Sequence, residues 1–303
     1  MPGGIIANTQ DRPARGIMLA IATFGFFSTS DVFVKWSSGT YSVFQIVFLT
    51  SLFALIPTIV LVVANGGLAA ARPKSVVWVT IRAAMLLAST YAGYTAFRYL
   101  SLAEMYTLIF TAPMMVTILA VPFLGEKVGW RRGAAVVVGF AGVLVMLRPG
   151  TQALNVGHLA AIIGALTFAV AAIVVRRHPG ESGSALLIPL VLLMVAVGGV
   201  LVLALDAWVP MKGADLAMLA ASGLLYGGAQ ICLIYAFRHA QAAIVAPFHY
   251  TQMIWAVVYG IFVFGDWPDL YTLSGAGLIA ATGVYIVLRE NRLAKADRAA
   301  NIV

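Results

Sequence analysis

His249 and Gln252, three residues apart in Pro247-Phe248-His249-Tyr250-Thr251-Gln252, put an imidazole and an amide on one helical face. Trp255 and Tyr259 extend that face by helical steps of three and four. In the preceding apolar stretch Ser222, Tyr226 and Gln230 stand at successive i+4 positions. Such amides, hydroxyls and rings suit the reversible binding of a small zwitterion by hydrogen bonds, with Trp255 over its side chain. Helix–helix hydrogen bonding is the alternative use of the Ser222 line. Tyr91, Tyr94, Phe110 and Met114, at spacings that share helix faces, are further candidates for a cavity wall or for packing. Phe24, Phe27 and Phe168 have the same two readings. Pro113 and Pro247 each remove a backbone donor within an apolar stretch and are candidate hinges.

No catalytic residue is expected. No P-loop, H-E-x-x-H or G-x-S-x-G is present, and an intramembrane enzyme would need a nucleophile or metal cluster that the sequence lacks. The four histidines lie far apart and suggest no metal set. Gly275 to Ala280 reads G-x-G-x-x-A, but inside an apolar helix rather than after a strand, so no cofactor is expected.

The elements that carry these residues are apolar stretches near 16–35, 41–63, 76–98, 103–124, 130–147, 157–175, 184–205, 215–237, 241–264 and 270–288. Each is long enough to cross a hydrocarbon core. An apolar fraction of 62%, 10% charged residues and a mean hydropathy of +0.97 exclude an ordinary soluble domain. The expected fold class is an all-α membrane protein of ten transmembrane helices. Ala20-Ile21-Ala22 resembles a signal-cleavage site, but too few apolar residues precede it, so the first stretch is expected to stay as a span. Cys232 is the sole cysteine, so no intramolecular disulfide is possible.

The net charge of +8 is unevenly placed. With the N-terminus inside, the inner face collects Arg12, Arg15, Arg72, Lys74, Arg82, Lys127, Arg131, Arg132, Arg176, Arg177, Arg238, Arg289, Arg292, Lys295 and Arg298. The outer face keeps Lys35, Arg98, Arg148 and Lys212. That positive-inside bias predicts cytoplasmic termini in an inner membrane and argues against nucleic acid as a partner. Arg82 is expected to snorkel to the inner interface, Asp31 to pair with Lys35 at i+4, and Glu104 to favour a helix N-terminus. No acid is expected at mid-depth, which disfavours carboxylate-based proton antiport. The ends before Arg15 and after Arg292 are expected to fray.

The chain also repeats itself. Displaced by 141, Gly16, Ala20, Phe27 and Lys35 fall on Gly157, Ala161, Phe168 and Arg176; displaced by 140, Ala96, Phe97, Arg98, Thr111 and Gly125 fall on Ala236, Phe237, Arg238, Thr251 and Gly265. Five spans per copy invert one copy against the other, an arrangement that marks secondary transporters. The expected divisions are a tail at 1–15, repeats at 16–148 and 157–289, and a tail at 290–303.

Each repeat carries one pattern. It is Ala96-Phe97-Arg98, Ala103, Pro113, Gly125-Glu126 and Gly139/Gly142 in the first, and Ala236-Phe237-Arg238, Ala243, Pro247, Gly265-Asp266 and Gly275/Gly283 in the second. This resembles the EamA-type members of the drug/metabolite transporter superfamily, over nearly the whole chain. The resemblance implies ten helices, inverted five-helix repeats, cytoplasmic termini and alternating access. Its nearest implied activity is export of neutral and aromatic amino acids, as in YddG-type exporters. Uptake of a cofactor-like solute such as S-adenosylmethionine or riboflavin is the alternative. The implied partners are a small solute and the bilayer, with no obligate protein. Pro113 falls at the place of Met253, and Pro247 at that of Thr107, so the halves are not expected to kink alike.

Overall fold

The computed structural model describes residues 13–125, 129–148, 154–178, 180–239 and 245–300. Among them the chain is helical throughout: α1 (Pro13–Ser38), α2 (Val43–Ala64), a short α3 (Gly67–Ala70), α4 (Val76–Tyr99), α5 (Leu102–Ile109), α6 (Ala112–Leu124), α7 (Trp130–Leu147), α8 (Val156–Arg177), α9 (Gly183–Ala204) and α10 (Gly213–His239). A 3₁₀ segment (Ala246–Tyr250), α11 (Thr251–Tyr259), a π segment (Gly260–Phe264) and α12 (Leu270–Ala300) follow. Seven helices are long and apolar enough to span a membrane, and three shorter apolar helices complete ten. Local signals set the ends. Ser42, Asn155 and Ser182 accept backbone N–H groups at the starts of α2, α8 and α9. Ser101 and Glu104 form a reciprocal capping box on α5, the N-terminal role expected of Glu104. Gly125 and Gly265, repeat-related, close their spans at φ 69, where a Cβ would be strained. Beyond Arg292 α12 stays helical to Ala300 instead of fraying, because Ala, Leu, Arg and Lys there favour helix.

The packing obeys an exchange of the two copies. The principal neighbour of α1 is α10, and the repeat-related pair, α4 and α8, packs just as heavily. The helices α2 with α9, and α7 with α12, pair across the halves with their own counterparts. The packed units are therefore mixed: α1, α10 and α11 form one group, and α4, α8, α5 and α6 another. Gly223 and Gly227 let α10 sit directly on α2, as their small-residue spacing predicts. A Cβ at Gly223 would lie 2.2 Å from the Thr50 carbonyl oxygen. Similarly, Gly142 and Gly275 meet backbone to backbone where α7 crosses α12.

The fourth and ninth spans are both interrupted, and at the same repeat position. α5 ends before Phe110-Thr111, and the 3₁₀ segment passes into α11 at Tyr250-Thr251. Thr111 Oγ1 donates to the Leu108 carbonyl at 2.6 Å, and Thr251 Oγ1 donates to that of Phe248 at 2.6 Å. The halves therefore break alike, against the expectation drawn from their prolines. The shared threonine back-bond marks the break, while Pro113 opens the helix after one break and Pro247 the segment before the other.

Ten crossings bring the end of α12 back to the face where α1 begins, termed the near face; Ser38 and the loop at Asp266 lie on the far face. There Tyr41 donates to Asp215 at 2.6 Å, Gln45 exchanges two hydrogen bonds with Val209, and Arg148 pairs with Asp269 at 2.5 Å. The Thr272 N–H, then Arg148, hold the Asp269 carboxyl below the usual carboxylate range. On the near face Glu181 accepts the N–H groups of Lys74 and Ser75. Reporter fusions after residues 73 and 179 are expected to read as cytoplasmic, and those after 101, 212 and 267 as external. Reversal at any two sites would overturn the orientation.

Candidate functional site

Six rings make a continuous belt through the middle of the bundle. Tyr226 on α10 meets Phe27 on α1 at 5.6 Å between centroids, and Phe27 neighbours Phe24 at 6.5 Å. Phe24 stacks on His249 at 5.1 Å, His249 meets Phe110 edge-on at 5.3 Å, and Phe110 stacks on Tyr106 at 5.9 Å. Gln230 donates to the Tyr226 hydroxyl at 3.2 Å. Tyr226, Gln230 and His249 keep partly exposed surfaces near the middle of the bundle.

The structure divides the residues that the sequence singles out. Ser222 belongs to packing: its hydroxyl and that of Ser30 lie 2.8 Å apart, and each bonds the other's backbone carbonyl. One and two turns farther along, Tyr226 and Gln230 bond each other and keep partly exposed surfaces. They do not face His249, Gln252 and Trp255 directly, as expected of spans joined by a tight turn. α1 stands between, because α10 packs on α1 and α2 while α11 packs on α1 and α5. Trp255 lies against Gly25 of α1 and stacks on Tyr259, whose hydroxyl is 2.8 Å from Thr29 Oγ1. Gln252 is buried next to His249. Tyr91 packs toward Phe44 of α2, away from the belt. Tyr94 is buried between Phe97 and the Asp31 region. Phe110 is fully packed at the break between α5 and α6, and Met114 lies over Gly139 with no exposed surface. Pro113 and Pro247 flank the two breaks. Glu126 and Ala243, which carry parts of the repeat pattern, fall outside the described residues.

Two residues that the sequence assigned elsewhere join the candidate site. Arg82 Nη1 donates to the Leu186 carbonyl, in the first turn of α9, at 3.0 Å, and its guanidinium lies within electrostatic reach of the Tyr226 hydroxyl. Asp31 does not pair with Lys35, which donates to the Leu100 carbonyl at 2.7 Å and bridges to Asp266 at 3.6 Å. Instead Asp31 accepts a 2.5 Å hydrogen bond from Tyr106. Arg82 is about 9 Å from the near end of α4 and Asp31 about 10 Å from the far end of α1, by helical rise. Tyr226, between them in depth, feels both charges. Asp31 thus stands about a quarter of the way in from the far end of α1, bonded to Tyr106 rather than to Lys35. Among the described residues no cluster of His, Cys, Asp or Glu is able to hold a metal.

Comparison with known proteins fits this architecture. Residues 14–148 and 155–289 each match the model of the EamA-like transporter family. The chain belongs to the EamA-like transporter family, within the drug/metabolite transporter superfamily; it is a multi-pass membrane transporter and not an enzyme. It is 28% identical over 271 residues to an S-adenosylmethionine uptake transporter of Rickettsia felis, covering 88% of this chain and 90% of that one. It is 33% identical over 186 residues to a riboflavin transporter of Rhizobium johnstonii, covering 61% of each. With a pseudopaline exporter of Pseudomonas aeruginosa PAO1 it shares 26% identity over 273 residues, 87% of this chain and 93% of that one. A solved structure aligns over 90% of this chain and 97% of its own at a TM-score of 0.67 and 18% identity, a likeness of fold.

Proposed function

We propose that the chain carries ring-bearing amphoteric metabolites by alternating access, binding them between Arg82 and the aromatic belt. One observation carries this reading: a guanidinium with no carboxylate partner among the described residues lies within electrostatic reach of Tyr226, in a row of rings of which Phe27, Tyr226 and His249 keep partly exposed surfaces. Arg82 suits a carboxylate, the Tyr226–Gln230 pair suits polar edges, and Phe24, Phe27 and His249 suit a planar ring. S-adenosylmethionine combines a carboxylate, cationic groups and a ring, and it is the solute taken up by the Rickettsia felis relative. Aromatic amino acids, the reading taken from sequence, satisfy the carboxylate and ring terms with fewer contacts. The inner membrane and cytoplasmic termini belong to the same proposal and rest on the basic bias.

Solute counterflow in proteoliposomes tests this without presupposing a direction. Vesicles preloaded with unlabelled S-adenosylmethionine are expected to accumulate labelled S-adenosylmethionine transiently, with tryptophan competing weakly and riboflavin less. Counterflow by tryptophan alone would return the assignment to amino acids. No counterflow with any of the three would overturn it.

A further inference from the structure

The geometry points to Asp31 as the coupling site, where a proton and the solute's cationic group bind by turns. The inference rests on the amphoteric-solute reading above and extends it to how transport is driven.

Asp31 has no counterpart in the second repeat, where Ala172 stands, so the shared scaffold does not require it. Its carboxylate receives one neutral hydrogen bond, from Tyr106. Among the described residues no lysine, arginine or histidine lies within ion-pair distance of it. The groups that interact with it are Tyr106 on α5, by hydrogen bond, and Tyr94 on α4 and Tyr226 on α10; around these stand Ser28 and Tyr259, near Tyr106, Arg82, near Tyr226, and Lys35 with Glu104, one turn farther along α1. Lys35 is engaged by Leu100 and Asp266 and lies over the Phe264 ring, and Glu104 is engaged in its capping box. The remainder are neutral hydroxyls, save Arg82 beyond Tyr226. Asp31 nevertheless keeps a partly exposed surface. Tyr94, beside it, also borders a hollow of about 200 Å³ lined by Tyr41, Phe44, Arg98 and Tyr99 near the far face.

A lone carboxylate at this depth is costly as an anion. Two occupants relieve it, a proton or an external cation, and each excludes the other. The step is Asp31–COOH + solute⁺ ⇌ Asp31–COO⁻·solute⁺ + H⁺, balanced in atoms and charge with no bond broken but O–H. Protons entering at the more acidic face displace the solute there, so an inward proton gradient drives the solute outward. Tyr106 is a positioning residue, holding the carboxylate through its hydroxyl.

The test measures protons released on binding, by calorimetry of purified protein in buffers of different ionisation enthalpy, with S-adenosylmethionine as probe. Wild type is expected to release about one proton per solute, with affinity falling as pH falls, up to about tenfold per unit. Asp31→Asn is expected to release none and to bind independently of pH; Tyr106→Phe should shift the pH midpoint yet still release the proton. Counterflow without proton release in wild type, or unchanged release in Asp31→Asn, overturns the coupling while leaving the carrier reading intact. If no solute binds wild type, the solute reading fails, and infrared difference spectra against Asp31→Asn decide the proton site alone. A protonated carboxyl band that titrates and vanishes in the variant upholds it, and the absence of one overturns it.

Discussion

Replacing Gly223 with valine is expected to cost the protein its fold, so that little remains monodisperse on size exclusion in mild detergent. The first added atom already lies 2.2 Å from the Thr50 carbonyl oxygen and 2.8 Å from Phe53 Cβ. A carbonyl within a helix cannot rotate away as a side-chain end can, so α10 must move off α2. Membrane helices gain their association from such close approach, since lipid is as apolar as the side chains. Overpacking typically costs about 1–3 kcal/mol. Moving α10 also strains the serine clasp between Ser30 and Ser222 one position away. A loss of about 3 kcal/mol lowers the folded-to-unfolded ratio roughly 150-fold. Gly277→Ala is the control, because its Cβ meets nothing within 4 Å, and it is expected to match wild type. A wild-type elution profile and thermal midpoint for Gly223→Val would show that α2 and α10 do not meet as described.

Arg82→Gln should leave folded protein intact and weaken carboxylate-bearing solutes by roughly 12- to 150-fold, the equivalent of a charged hydrogen bond worth about 1.5–3 kcal/mol. Arg82→Lys should recover only part, since an ammonium cannot offer the planar pair of donors that grips a carboxylate. The discriminating measurement compares tryptophan with tryptamine, which lacks the carboxylate, as competitors of counterflow. Arg82→Gln is expected to weaken tryptophan and spare tryptamine. Equal loss for both would reduce Arg82 to a tie between α4 and the Leu186 carbonyl.

The ten spans were legible because the bilayer demands long apolar runs, and their ends because Ser42, Ser101, Asn155 and Ser182 carry caps in plain view. The exchange of neighbours was written less openly. Gly223 and Gly227 announced close packing but not that α2 was the partner, and nothing local says that α1 separates α10 from α11. The site suffered most from this. Tyr226, Gln230 and His249 were singled out because polar groups in apolar helices stand out. Phe24 and Phe27 were noticed but left between cavity wall and packing, since a phenylalanine in a span carries no mark of what it faces. Asp31 and Arg82 were visible but given to near partners, Lys35 and the interface, where short-range rules send them. Thr111 and Thr251 fell into register in the repeat alignment, yet only the hydrogen bonds to Leu108 and Phe248 show that both helices break there.

The mixed pairing of helices also bears on how the protein comes into being. When α1 enters the membrane during synthesis, Ser30 has no Ser222 to meet, for α10 lies almost two hundred residues downstream on the nascent chain. Contacts of such long sequence separation close late. The first five spans are thus expected to wait in the bilayer as a loosely associated set, their polar faces open to insertion chaperones or to one another. A nonsense truncation near residue 150 should yield an unstable fragment rather than a half-sized carrier. Supplying the two halves as separate chains should restore a protein only when both are made together.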